Sequence, residues 1–191
     1  MGLMERSTPA REATAELEAK GSRFLAVLVP VALYGLRLDA IRREHRKASH
    51  HVTAMRRVTE TDALEERASD DGEPAGTAGM PVLKTLIGAG IVDAGLIVTR
   101  YFGGTKLGTG GLARAYSGAA ALAIERARLV PWHRIVTRTV SAGFAEASAL
   151  ERRLAGLGLA VIDRTYTETG VSLTVRGPEA RVAEAALPEY G

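Results

Sequence analysis

The sequence predicts a two-domain α+β protein, and three observations support that prediction. Apolar segments with the length of a strand alternate with segments whose apolar residues recur every three or four positions, as in an amphipathic helix. Gly and Pro residues separate these segments. Pro131 marks a boundary after which the order of elements changes. We therefore expect one domain over residues 1–130 and a second over 131–191.

The first domain is expected to contain both strands and helices. A Lys20-Gly21-Ser22 turn joins its first two strands, and Tyr34 and Ile41 lie on the apolar face of its first helix. In chain order, the predicted elements are two strands within residues 14–29, a helix over 33–48, a strand from His50 to Arg57, a loop over 58–80, a helix with Pro81 in its first turn, a strand from Gly95 to Tyr101, a Gly-rich loop and a helix over 109–128.

The second domain is expected to follow a different plan. Its predicted elements are a strand over 132–142, a helix over 145–156, strands over 159–166 and 171–176, and a helix over 179–187. This βαββα order is the ferredoxin-like plan without its last strand. We therefore predict a small ferredoxin-like domain that lacks its final strand.

The composition predicts a soluble, cytoplasmic protein. Hydrophobic residues make up 46% of the chain and charged residues 25%, yet no apolar stretch reaches the roughly 20 residues that a membrane helix needs. The N-terminus has no apolar segment of the signal-peptide kind, and the chain has no cysteine for disulfides or thiolate ligands. The absence of Asn and Gln favours a heat-adapted source. We expect no membrane partner.

Charge is distributed unevenly along the first domain. Residues 23–57 are mainly basic, and residues 60–73 are mainly acidic. Two interpretations remain open: two solvated faces that compensate each other, or a surface for an anionic partner. On the second interpretation, the side chains expected to contact phosphates lie on the outer face of the first helix, namely Arg42, Arg43 and Arg46.

A Gly-rich segment, RYFGGTKLGTGGLAR, lies between a predicted strand and a predicted helix. Glycines allow a ligand to approach the main chain, and a helix N-terminus offers free N–H groups and partial positive charge. The segment is neither a Walker A loop nor a dinucleotide fingerprint. It predicts an anion-binding loop, unless the glycines serve only tight turns and packing. The candidate residues are Arg100, Gly103, Gly104, Lys106, Gly108, Gly110, Gly111 and Arg114.

An acidic loop, SDDGEPAGTAG over residues 69–79, contains the carboxylates of Asp70, Asp71 and Glu73. Such a cluster can bind a hard cation, share a proton in general acid–base catalysis, or bond to its own main chain in a turn. If the loop folds against the Gly-rich segment, its carboxylates can instead pair with Arg100, Lys106 or Arg114. We expect no bound metal, no cofactor and no catalytic residue.

His50 and His51 are neighbours on a predicted strand, so their side chains point to opposite faces and cannot chelate one metal together. We assign His50 to the candidate binding site and expect His51 to pack. His45 lies on the apolar stripe of its helix and is expected to be a core histidine.

These segments together resemble the YigZ/Impact family in order and spacing. The matching segments are Lys20 to Phe24, Ala48-Ser49-His50, Ser69 to Gly79, Arg100 to Leu112 and Arg114-Ala115-Tyr116. The resemblance covers about residues 5–130 and implies a fold found in ribosomal-protein and RNase PH domains and in domain IV of elongation factor G. The remainder resembles the ferredoxin-like domain of bacterial members, similar to domain V of that factor.

The favoured hypothesis is a non-catalytic regulator of translation that binds RNA or the ribosome. It rests on the basic helix face, the cationic Gly-rich loop and the family's fold, and function does not follow from fold alone. One alternative is an enzyme or sensor for a small phosphorylated ligand bound at the Gly-rich loop. Another is a module that binds a protein partner, with the two loops forming a rigid platform.

Overall fold

A computed structural model gives the fold of the protein and describes residues 6–186. The chain divides into two compact units, Met1–Trp132 and His133–Gly191. Both combine helices and strands, which confirms the predicted α+β class. No helix in the described range has the length and apolar character needed to cross a membrane.

The first unit is built on a five-stranded sheet in which every neighbouring pair is antiparallel. Its elements are β1 (Ser7–Pro9), β2 (Ala13–Ala19), β3 (Ser22–Pro30), α1 (Val31–Glu44), β4 (His50–Val58), β5 (Leu64–Ser69), α2 (Gly79–Gly88), β6 (Ala94–Tyr101), α3 (Gly108–Glu125) and β7 (Leu129–Pro131). The strand order of the large sheet is β2-β3-β6-β4-β5, and β1 pairs with β7 in a separate two-stranded sheet.

Helices cover both faces of the large sheet because apolar side chains alternate between its faces. In β3, Phe24 and Leu28 belong to the main core with α2 and α3. The intervening Val27 and Val29 belong to a smaller core with Ile41 of α1. β6 lies in the middle of the sheet and is buried along almost its whole length.

Three details differ from the sequence prediction. The predicted loop over 58–80 contains β5, an edge strand that pairs with β4. Its sequence, LEERAS, is mostly exposed and charged, so it lacks the apolar alternation that identifies a strand. α1 ends at Glu44 rather than at residue 48, which places Arg46 in the turn after the helix and His45 at its C-cap. The β1–β7 pair was not predicted, since local periodicity does not reveal long-range pairing of three-residue strands.

The second unit is a three-stranded antiparallel sheet with two helices. Its elements are β8 (Ile135–Gly143), α4 (Ala147–Gly156), β9 (Ala160–Tyr166), β10 (Gly170–Pro178) and α5 (Glu179–Ala186). The strand order is β8-β10-β9, and Leu154, Leu173 and Val182 lie in its core. The βαββα order matches the prediction over the described residues, whereas residue 187, the predicted end of the last helix, lies outside them.

Two turns are fixed by a close approach of main chain to main chain. A Cβ on Gly103 would overlap the main-chain carbonyl group of Gly21. Gly21 itself has φ +80°, which favours glycine. The β2–β3 turn and the start of the Gly-rich loop can therefore pack together only because Gly21 and Gly103 have no side chains.

We predict that Gly103→Ala lowers the free energy of unfolding by about 1 to 3 kcal/mol, the usual cost of overpacking. Gly35→Ala is the matched control, because Gly35 lies within α1 with no atom within 4 Å of an added Cβ. It should stabilise the protein by about 0.4 to 1 kcal/mol. Urea unfolding followed by the fluorescence of Trp132, the single tryptophan, measures both. Equal effects of the two substitutions would contradict this account.

Candidate functional site

The motif segments of the sequence meet at one end of the five-stranded sheet. His50 at the start of β4 pairs with Arg100 near the end of β6, and Arg23 near the start of β3 pairs with Tyr101. The turns at this end are the β2–β3 turn, the α1–β4 turn, the acidic loop and the Gly-rich loop over residues 102–107. Antiparallel pairing thus gathers segments that are more than 80 residues apart in the chain.

A buried carboxylate, that of Glu73, ties this end of the sheet together. Its Oε1 accepts a hydrogen bond from Arg100 Nη1 at 2.6 Å and another from the Tyr116 hydroxyl at 2.7 Å. All three side chains are buried. The acidic loop is therefore anchored to β6 and to α3 through one ion pair and one neutral donor.

The Arg100 side chain is held on several sides. Its Nη2 donates to Ser22 Oγ at 3.3 Å, and Ser22 Oγ also accepts from the main-chain N–H of Gly103 at 3.2 Å. The guanidinium carbon lies 5.6 Å from the ring centroid of Phe24 and 5.4 Å from that of Phe102. These ring contacts stabilise the cation in a dry environment.

Tyr116 acts as a hydrogen-bond donor in this network and stays neutral. Burial raises the pKa of its hydroxyl, and the hydrogen bond to Glu73 raises that pKa further. Its ring also packs edge-to-face on Phe24, with centroids 5.0 Å apart. A neutral phenol that donates to a carboxylate adds no second negative charge to the buried cluster.

Asp70 caps the N-terminus of α2. Its two oxygens accept from the main-chain N–H groups of Gly76, Ala78 and Gly79 at 2.7, 3.0 and 2.7 Å. Partial burial opposes ionisation, but these three donors outweigh it and hold the pKa of Asp70 below its usual value. Gly79 is required here because a Cβ would lie 2.8 Å from the main chain of Ser69.

Asp71 and the two histidines fasten the acidic loop to β4. The His51 N–H donates to Asp71 Oδ2 at 2.6 Å, and His50 Nδ1 donates to the Asp71 carbonyl at 2.8 Å. On the other sheet face, His51 Nδ1 lies 3.1 Å from Thr99 Oγ1, and burial lowers the pKa of His51. The two histidines contact different faces, as strand alternation predicts.

The carboxylates of the acidic loop are bound by other groups of the protein. Each of the three has partners within the protein, and Arg42 approaches Asp71 at 3.9 Å. In residues 6–186, no group of three or more His, Asp or Glu side chains is arranged to hold a metal ion. The loop and the Gly-rich segment meet through the Glu73–Arg100 pair, one of the pairings anticipated from the sequence.

A pocket of about 330 Å³ opens where the acidic loop meets the start of α3. Its lining residues are Glu73, Pro74, Arg100, Phe102, Lys106, Leu107, Gly108, Thr109 and Leu112. Gly104 and Gly108 have positive φ and open space around them, whereas a Cβ on Gly111 would lie 3.0 Å from Leu107 Cβ. Some glycines of the segment thus permit packing, and others leave the main chain accessible.

The structure brings some of the predicted site residues together and leaves others apart. His50 Nε2 lies 3.8 Å from Glu73 Oε1, and Lys106 shares the pocket with Arg100. Arg114 Nη1 lies beside Gly110 in the first turns of α3. Arg43 and Arg46 are exposed at the C-terminal end of α1 and just beyond it, and neither lines the pocket.

Sequence reasoning missed Ser22, Phe102 and Tyr116 as parts of this site. Phe102 is 50% exposed, and the signal that could have found it is an aromatic residue placed between a strand and a run of glycines. Tyr116 lies in the core, and its bond to Glu73 depends on tertiary structure.

Exposed basic side chains lie in the turns at this end of the sheet and in the adjoining turns of α1 and α3, a region that we call the cationic end. Its residues are Lys20, Arg43, Arg46, Lys47, Lys106 and Arg114. Within residues 6–186, none of these six forms an ion pair. The cationic end therefore presents positive charge to solvent.

We predict that Asp70→Ala lowers the free energy of unfolding by about 1 to 2 kcal/mol near pH 7, because it removes the cap of α2. Since the folded pKa of Asp70 is depressed, its contribution is complete above the ordinary value of 3.8 and is lost as pH falls through the folded pKa. The difference between wild type and variant should therefore shrink below pH 3.8. Urea unfolding across pH measures it; Asp39→Ala, which removes an exposed carboxylate, should not reproduce the pattern.

We predict strong coupling between Glu73 and Arg100. Glu73→Leu and Arg100→Met should each cost about 3 to 5 kcal/mol, since each leaves a buried charge unpaired. The double variant should cost clearly less than the sum, because no unpaired charge remains. The same double-mutant cycle, applied to the exposed Arg37–Glu44 pair, should give a coupling free energy below about 1 kcal/mol. Additive effects at Glu73 and Arg100 would rule out the buried ion pair.

Comparisons with known proteins show which family the chain resembles. A family model described as the Impact N-terminal domain matches residues 20–124, more than half of the chain. The IMPACT family member YigZ of Escherichia coli is 35% identical over 179 residues, which cover 92% of this chain and 87% of that protein. An IMPACT family member of Thermus thermophilus is 38% identical over 159 residues, covering 82% and 84% of the two chains.

A solved structure also resembles most of this chain. A crystal structure of a hypothetical protein aligns with a TM-score of 0.72 at 35% identity, covering 96% of this chain and 90% of that one. The two-domain translational regulator Yih1 aligns with a TM-score of only 0.37 at 25% identity, over 66% of this chain and 49% of that one. The family match and the relatives of similar length agree: the chain belongs to the Impact family.

Proposed function

We propose that this protein is a non-catalytic regulator of translation that binds RNA, on the ribosome, through the cationic end of its first unit. The proposal joins two parts. The binding part rests on charge and geometry. The translational part rests on the resemblance of the two units to domains IV and V of elongation factor G, which is an analogy of fold.

The observation that carries the binding part is an imbalance of charge produced by internal pairing. Asp70, Asp71 and Glu73 direct their carboxylates to main-chain amides, to Arg100 and to Tyr116. The six basic side chains of the cationic end have no such partners in the described part of the chain. A polyanion that contacts this end meets positive charge that the neighbouring carboxylates do not cancel.

These internal contacts of the three carboxylates also argue against the enzymatic alternative. That alternative needs one of the three carboxylates as a general base or as a metal ligand. Glu73 is 8% exposed and bonded to a cation, and Asp70 is committed to capping α2. Three main-chain donors hold the pKa of Asp70 below its usual value, which makes this carboxylate a weak base.

RNA contact at this surface should combine phosphate pairing with limited stacking. The basic side chains lie in or next to the turns at this end of the sheet, and Phe102 is a half-exposed aromatic ring in the Gly-rich loop at the same end. Phosphate contacts supply affinity without sequence preference, and a single stacked base adds to it. We therefore expect binding that tolerates different sequences and weakens strongly with salt.

We predict that the triple variant Arg43→Ala/Arg46→Ala/Lys47→Ala flattens the salt dependence of binding to single-stranded RNA. Each lost phosphate contact should reduce the slope of log K against log salt by about 0.7, or roughly 2 for all three. Fluorescence anisotropy over a salt series measures the slope. Co-sedimentation with ribosomal subunits at physiological salt tests whether the same side chains hold the protein on the ribosome.

The matched control is Lys84→Ala/Arg126→Ala/Arg128→Ala. These side chains are exposed on α2 and at or beyond the C-terminus of α3, away from the cationic end, and the control removes the same net charge. It should leave the slope unchanged. If both triple variants weaken binding equally, only net charge matters and the assigned surface is wrong. If wild type binds neither RNA nor ribosomal subunits, a protein partner becomes the next candidate.

A further inference from the structure

The pocket beside α3 has the size and the chemistry of a site for one nucleotide. Its volume of about 330 Å³ lies at the small end of the range for small-molecule sites, too small for a long segment of chain. Its walls come from the acidic loop, the residues that follow β6 and the first turn of α3. It is therefore formed by the segments that the Glu73 network holds in place.

One wall offers unpaired donors. α3 begins at Gly108, and Leu107 before it makes no side-chain cap, so the first N–H groups of this helix lack intrahelical partners. Gly104 and Gly108 leave open space beside the main chain. Lys106 adds a positive charge that no carboxylate neutralises among the described residues. This wall suits the oxygens of a phosphate.

A second and independent feature is the incomplete hydrogen bonding of the buried Arg100 side chain. This side chain lines the pocket and is only 5% exposed, and its Nη1 and Nη2 are bound to Glu73 and Ser22. Its Nε–H, however, has no acceptor within residues 6–186. Buried donors without acceptors are rare in folded proteins. The wall of the pocket thus contains a buried donor without an acceptor.

A nucleotide also needs a surface on which its base can stack, and Phe102 offers one. The ring lines the pocket, is half exposed, and is backed by the Arg100 guanidinium carbon at 5.4 Å. The Phe102 N–H donates to Ser49 Oγ at 3.3 Å, which fixes the main chain beneath the ring. An exposed, supported aromatic ring is the usual platform for a stacked base.

We propose that this pocket binds a nucleotide that carries a terminal phosphomonoester, with the phosphate on the first amides of α3 and on Lys106 and the base on Phe102. The inference deepens the proposed RNA-binding function and rests on it for its favoured source, the 5′ end of an RNA. A terminal phosphate carries almost two negative charges near pH 7, against one for an internal diester. A free nucleoside monophosphate offers the same chemistry from another source.

The test compares one short single-stranded RNA in two forms, with a 5′-phosphate and with a 5′-hydroxyl, on the full chain by fluorescence anisotropy. We expect the phosphorylated form to bind about tenfold more tightly, the effect of one charge-assisted hydrogen bond. Lys106→Ala should reduce this ratio towards one. Phe102→Leu, which keeps apolar volume but removes the ring, should weaken both forms by about tenfold and keep the ratio.

Arg126→Ala is the matched control for Lys106→Ala. It removes one exposed cation at the C-cap of α3, about 24 Å along the helix from Gly110 at 1.5 Å per residue. It should leave the phosphate ratio unchanged. A second measurement, the thermal unfolding midpoint with adenosine 5′-monophosphate or with adenosine, detects pocket binding without RNA.

Each outcome separates this inference from the proposed function. If the RNA with a 5′-phosphate binds more tightly than the RNA with a 5′-hydroxyl, and Lys106→Ala removes this difference, the result supports the pocket with an RNA end as its ligand. RNA binding with no difference between the two forms overturns the pocket and leaves RNA binding intact. If RNA does not bind but adenosine 5′-monophosphate alone raises the unfolding midpoint, the proposed function fails and the pocket stands with a free nucleotide. No response to any probe overturns both.

Discussion

The buried carboxylate of Glu73 is the constraint on which the site depends. It accepts hydrogen bonds from Arg100 in the central strand and from Tyr116 in the long helix, so it joins loop, sheet and helix at one atom. A buried charge is tolerated only while its partners stay in place. The acidic loop cannot leave this position without exposing an unpaired guanidinium, and the turns around it therefore share one rigid support.

This support also determines the charge of the surface. The acidic loop carries three carboxylates, but the fold directs them to a helix cap, to the first residues of β4 and to Arg100. The nearby lysines and arginines remain at the surface. Local stability and a positively charged surface thus arise from the same contacts, although the net charge of the chain is only +3.

Much of the first unit could be predicted from local patterns. Apolar segments with the length of a strand identified the buried strands, Gly and Pro placed the turns, and His50 and His51 were assigned to opposite sheet faces. β5 was missed because a charged edge strand has no apolar face. The distinct roles of Asp70, Asp71 and Glu73 were not predictable, since three neighbouring carboxylates look alike until tertiary structure gives each its partner. The exposure of Phe102 likewise depends on contacts between distant segments.

The charged edge strands of the large sheet limit the ways in which the first unit can associate. β5 carries Glu65, Glu66 and Arg67, and β2 at the opposite edge carries Glu16 and Glu18. Charged side chains along a sheet edge oppose continuation of the sheet into a neighbouring molecule, which is a common route to aggregation. The first unit should therefore remain dispersed at high concentration, and a peptide that recognises partners by adding a strand would find these edges unfavourable.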